Sequence, residues 1–207
     1  MSDKRIIIFG AGIIGFLVLF FLVFFAKQQI DRGFGESPEE EKYEKIVRTF
    51  ANWKEFTSQL SKFRAYFPEV PLTDSKAIGV AGEDNVKAAL NIFVAELPDQ
   101  TALMVKVVRF PDDYQVKDVK FQLNETMNDI LNAKNRNVLR NIGEVIWNGH
   151  KALNFSIQNL QIRIEAKSIF ANNSIYTLVY VTQIDNFDDE VFENFLKNFA
   201  LTEDSSK

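Results

Sequence analysis

The spacing of apolar residues changes several times along the chain, and each change marks an element. Residues 6–26 carry no charge, and Phe16–Phe25 is apolar at every position. A helix apolar all round is buried in a large core or in lipid. Those 21 residues would form a helix of about 31 Å, against a hydrocarbon core of about 30 Å. Lys4 and Arg5 precede the run and Lys27 follows it. The pattern predicts a transmembrane helix over 6–26 in contact with the lipid bilayer, after a short tail (1–5) and before a linker (27–37).

The same run contains Gly10-x-Gly12-x-x-Gly15, the spacing of a dinucleotide phosphate loop. That site needs an amphipathic helix after the third glycine and a second apolar strand ending in an acid. Phe16–Phe25 has no polar face, and the residues around Asp31, "KQQIDRGFGESPEEEK", are no apolar strand. The glycines therefore belong to the span, where small residues such as Ala11 and Gly15 let helices approach. The run exceeds a signal-peptide core of about 7–15 residues, and "FFAKQQ" lacks a small-x-small cleavage site, so a retained anchor is expected. Lys4 and Arg5 favour a cytoplasmic N-terminus, which puts the large domain, 38–204, outside the cytoplasm.

A helix start follows the linker, with Ser37 as N-cap, Pro38 at the first position and Glu39–Glu41 at the positive end of the dipole. The period then shortens. "NWKEFTSQLSKFRAYFPEVP" reads as two strands about a polar turn, and "KAIGVAG" as another. "NVKAALNIFVAEL" puts Val86, Ala88, Leu90, Ile92 and Val94 on one face, Pro98–Gln100 turns the chain, and "TALMVKVVRF" returns. Over roughly 115–134, Val116, Val119, Leu123, Met127, Ile130 and Leu131 keep helical spacing. "NIGEVIW" and "KALNFSIQ" join through Asn148-Gly149, a strong hairpin signal. "LQIRIEAK" alternates, with Leu160, Ile162, Ile164 and Ala166 inward. "SIYTLVYVTQI" is apolar on both faces and should be central. A helix from Asp188 to Phe199 closes the domain on Val191, Phe192, Phe195, Leu196 and Phe199. The order predicts an α+β fold, an antiparallel sheet with helices packed on it.

Composition narrows the function classes. Absence of cysteine excludes disulfides, thiolate metal sites and cysteine nucleophiles. Fourteen of the 20 phenylalanines lie outside the apolar run, enough for an aromatic-rich core. Residues 1–37 hold Lys4, Arg5, Lys27 and Arg32 against Asp3, Asp31 and Glu36, a net +1, so the remainder carries −5 where the whole chain is −4. An acidic domain without a basic patch is a poor nucleic-acid binder, and its surface would suit a basic partner.

The elements resemble the PsbP-like domains, which include small anchored bacterial proteins. "WKEFTSQLSKFRAYFPEVP" is similar to the family opening, a strand ending in Phe-Pro-x-x-Pro, here Phe67 to Pro71. "MVKVVRFP", the glycine turn in "IWNGHKALNFSI" and the closing "IYTLVYVTQIDNFDDEVFENFLKNFAL" match later strands and the last helix, over about 53–202. The resemblance implies an αβα sandwich often used for protein contacts. It carries over no binding residue.

Candidate chemistry is sparse. The one histidine, His150, follows a hairpin turn; Asp112-Asp113 and Asp188-Asp189-Glu190 are expected beside helix starts. No catalytic, cofactor-binding or metal-ligating set is selected, and no cofactor is implied. The expectation is a non-enzymatic, single-pass membrane protein whose domain meets a membrane or envelope protein partner. The alternatives are a subunit of a VirB-type secretion machine or a small-ligand-binding domain. Helices on both faces of a flat sheet would favour the PsbP-like arrangement, and a sheet curled around its helices the VirB-type one.

Overall fold

The computed structural model describes residues 50–97 and 101–202. The expected span, the linker, the Ser37 helix and the turn at 98–100 lie outside these residues. Among the described residues, no helix is long and apolar enough to cross a membrane.

A short 3-10 turn, Phe50–Asn52, leads into two strands, β1 (Lys54–Ser58) and β2 (Phe63–Phe67), paired in register Lys54 to Phe67. A larger sheet follows: β3 (Leu72–Val80), β4 (Glu83–Glu96) and β5 (Ala102–Arg109). After helix α1 (Val119–Leu131) come β6 (Val138–Trp147), β7 (His150–Asn159), β8 (Ile162–Ala171) and β9 (Ser174–Gln183). Helix α2 (Asp189–Lys197) and the two-residue β10 (Ala200–Leu201) close the domain. Seven strands form one antiparallel sheet in the order β3-β4-β5-β9-β8-β7-β6, and β1-β2-β10 form a smaller one.

Local chemistry sets the element ends. Asp118 caps α1 by accepting from the Phe121 N–H, and Asp188 caps α2 by accepting from the Glu190 N–H. Asn148 and Gly149 both take positive φ, 47° and 83°, the backbone a two-residue hairpin requires. Asn172 and Asn173 do the same between β8 and β9, at 48° and 53°.

The large sheet has two apolar faces, and period-2 alternation sorts its residues between two cores. On one face Leu90, Ile92, Met104, Phe155, Ile164 and Val179 pack under Leu123, Met127 and Ile130 of α1. On the other, Phe93, Val105, Val107, Tyr176, Leu178 and Tyr180 meet the small sheet and α2 through Phe63, Phe67, Phe195 and Phe199. The two helices thus lie on opposite faces. The second core is held by ring contacts. Phe63 packs edge-on against Phe93 at 4.9 Å and stacks on Phe199 at 5.8 Å; Phe67 meets Phe195 at 5.4 Å.

Four expectations shift. The helix expected over 115–134 is confined to 119–131, because Asp118 caps it; Val116 still packs on the core from the preceding loop. Leu160, expected inward, is 62% exposed at φ 52° in the β7–β8 turn, where the chain reverses before alternation begins at Ile162. Asp112-Asp113 precedes α1 by several residues and does not cap it. Strand β10 had no signal; Ala200 and Leu201 pair with Arg64 and Phe63 only because α2 delivers them there.

Replacing Phe63 with Ala should destabilise the domain by about 3–5 kcal/mol, since a fully buried ring leaves a cavity shared by both sheets. The midpoint of urea unfolding of the full chain in mild detergent, followed by Trp53 and Trp147 fluorescence, measures it. A loss below about 1 kcal/mol would mean that the small sheet does not depend on this ring.

Candidate functional site

Two places concentrate polar chemistry. The first is interior. Lys106 occupies an inward position of β5, between Met104 and Val108, and is 2% exposed. Its Nζ donates to Asp129 Oδ2 of α1 at 3.3 Å, and Asp129 keeps its other side toward solvent. Lys106 pairs across the ladder with Thr177, whose hydroxyl is 2.9 Å from that of Ser168. A buried polar row therefore crosses the α1 face. Burial holds the Lys106 ammonium below its ordinary pKa, and Asp129 opposes that shift.

A buried lysine beside a carboxylate suits nucleophilic or base chemistry if a substrate can reach it. Here space decides. The adjoining cleft, lined by Ile78, Val80, Gln122, Glu125, Thr126 and Asp129, holds only about 40 Å³. That is room for a few waters, not a substrate. Its polar groups are also engaged: Gln122 Nε2 donates to the Ala81 carbonyl, Thr126 to the Gln122 carbonyl, and Glu125 accepts from Asn128. Lys106–Asp129 is accordingly a tie between α1 and the sheet.

The second place is an open groove of about 350 Å³ on the opposite face, where the small sheet stops short of the ends of β4 and β5. Exposed Ala89 and buried Asn91 line its floor with Arg109, while Leu60, Phe110 and Pro111 supply apolar walls. Lys87 stands at its end. Arg109 is anchored loosely: Nη1 is 3.5 Å from the Leu60 carbonyl and Nη2 is 4.0 Å from Asp112. The Asn91 Oδ1 accepts from Ser75 Oγ at 2.7 Å, which directs the amide nitrogen away from that bond. Cations beside apolar surface suit an acidic group carried on an apolar segment.

No catalytic or metal residues were expected, and among the described residues no group of three or more His, Cys, Asp or Glu could hold a metal ion. His150 is half-buried at the start of β7, opposite Trp147 and apart from both places. Asp188 caps α2; Asp112 lies at the groove beside Arg109. Lys106 was detectable in principle, as a charge at an inward position of an apolar strand. The groove was not, because its residues come from three separated stretches.

No protein-family model matches the chain, and no curated protein matches it. Among solved structures it is similar to cyanobacterial PsbP (CyanoP) from Synechocystis sp. PCC 6803, at 15% identity and a TM-score of 0.50, covering 73% of this chain and 93% of that one. It also aligns with a Pseudomonas aeruginosa protein of unknown function, at 8% identity and a TM-score of 0.34, over 65% of this chain and 85% of that one. The first likeness gives the domain a PsbP-like α+β fold.

The Lys106–Asp129 tie should respond unequally to its two deletions. Asp129→Asn strands a buried ammonium and should cost about 3–5 kcal/mol, whereas Lys106→Met leaves a carboxylate that water can reach and should cost far less. The double variant should recover most of the Asp129→Asn loss in urea unfolding; no recovery would refute the pairing. Since the folded pKa of Lys106 lies below its ordinary 10.5, unfolding takes up a proton between the two values. Stability should therefore rise with pH through that window, and Lys106→Met should flatten the rise.

Proposed function

We propose that the chain is a single-pass membrane protein that holds its PsbP-like domain outside the cytoplasm and works as a non-catalytic interaction or assembly module. The observation that carries the interaction reading is the groove. It is open, lies between two sheets, and sets Lys87 and Arg109 beside Leu60, Phe110 and Pro111. The buried lysine, the one group with nucleophile-like surroundings, lacks room for a substrate beside it. The anchor rests on the uncharged run 6–26 and its basic flanks.

The partner is then a membrane or envelope protein that offers an acidic, partly apolar segment, which differs from the basic partner suggested by net charge alone. Charge summed over a domain does not describe one groove. Helices on opposite faces of the large sheet favour this arrangement over the curled sheet of a VirB-type subunit.

In-cell crosslinking followed by gentle detergent extraction should recover a stoichiometric membrane partner, with the chain resisting carbonate extraction. The double variant Lys87→Glu/Arg109→Glu should lose that partner while keeping its urea midpoint, because both side chains sit at the surface of the groove. A chain released by carbonate would sink the anchor. A partner retained by the double variant would sink the groove.

A further inference from the structure

The large sheet ends in two unpaired strands, β3 and β6. An open edge offers backbone donors and acceptors to another strand unless charge or irregularity blocks it. β3 carries Asp74 and Lys76 in its first half and a register shift at Gly79–Val80. β6 is different. Val138, Ile142 and Ile146 are 47%, 44% and 70% exposed, so large apolar side chains recur along an edge that faces water.

We propose that β6 pairs antiparallel with β6 of a second copy of this chain, joining two seven-stranded sheets edge to edge about a two-fold axis at Ile142. The strand's own sequence selects that axis. In a symmetric antiparallel pair, residues facing each other must turn their backbone groups the same way, so the axis passes through one residue and not between two. Centred on Ile142, Arg140 falls opposite Glu144 of the second copy, and Glu144 opposite Arg140. Centring on Asn141 or Gly143 sets a charge against an apolar residue, and centring on Arg140 or Glu144 opposes like charges.

Three further features agree. Ile142 would meet its own copy on the α1 face, since Ile142 lies opposite Phe155 of that core. Asn141 would lie opposite Gly143, where an added Cβ would meet nothing within 4 Å. Gly143 in turn lies opposite Asn154, whose buried Oδ1 has no hydrogen-bond partner. Asn141 of the second copy would then face Asn154 across the glycine, about 10 Å away backbone to backbone, a span that two amide side chains bridge.

The present contacts of the two charges do not oppose the pairing. Glu144 meets Lys120 and Arg140 Nε donates to Gln158, both at the surface, where such contacts are weak. The shift between Leu139 and Asn141 ends the regular ladder, which would run from Arg140 to Glu144. The groove lies at β4 and β5, toward the other edge of the sheet, so self-pairing leaves it open.

The absence of cysteine supplies the test. The full chain carrying Ile142→Cys, oxidised with copper-phenanthroline in mild detergent, should crosslink to a dimer, because facing Cβ atoms at the axis fall within about 4.5–5.5 Å. Thr73→Cys on β3 is the control and should crosslink far more slowly. In the Ile142→Cys background, Glu144→Arg should weaken dimerisation about tenfold by opposing two arginine pairs, and Arg140→Glu/Glu144→Arg should restore it. Light scattering across concentration reports the same equilibrium without a crosslink. Equal rates at positions 142 and 73, a monomer at every concentration, or a dimer indifferent to the charge reversal would each overturn the proposal. Indifference to the reversal would also identify a dimer held elsewhere, and none of these outcomes bears on the partner groove.

Discussion

The structure depends on a sheet whose two faces are both apolar. On β9, every residue from Ser174 to Thr182 is buried, and β5 is buried from Ala102 to Val108. Neither face tolerates water, so the chain must supply a cover for each. Helix α1 covers one, and α2 with the small β1-β2-β10 sheet covers the other. The two covers differ in material. Under α1 the contacts are largely aliphatic, with Leu123, Met127 and Ile130 over Ile, Val and Leu. The opposite side relies on rings, because a small sheet and a nine-residue helix need large side chains to fill the space between them.

The few polar groups admitted to this interior are satisfied locally. Ser168 pairs with Thr177, Thr101 with Thr182 at 3.0 Å, and Lys106 with Asp129. Each links neighbouring elements, which lowers the cost of burying it. Arg163 and Glu165 show a similar compromise on the other face. Arg163 lies over the Phe187 ring at 3.5 Å and bonds Glu165 at 2.8 Å, yet burial still raises the Glu165 carboxyl, with Arg163 pulling the other way. What the domain can offer a partner is therefore on its rim: the groove between the sheets, and the open strands.

Much of the fold was legible because its signals are local. Alternation in 86–94 and 162–166 placed those side chains on the correct face. Asn148-Gly149 and Asn172-Asn173 marked their turns by tolerating positive φ. The two-faced apolarity of "SIYTLVYVTQI" put β9 at the middle of the sheet, where it lies between β5 and β8. The errors occurred where a neighbour overruled the pattern. Leu160 continues an alternating run in sequence but is turned out by the reversal before Ile162, and residues 115–118 keep helical spacing without being helical once Asp118 caps.

By itself the sequence determined the α+β class, the core faces of most strands and both described helices, because side-chain period and turn chemistry act over a few residues. It also defined the uncharged run at 6–26. Tertiary structure alone decided how strands distant in sequence are ordered, that the helices take opposite faces, and that Ala200 and Leu201 complete a third strand. It also decided that Lys106 meets Asp129 and that Leu60, Asn91 and Arg109 share one groove. Those placements depend on which surfaces bury each other, a property of the assembled layers that no local stretch encodes.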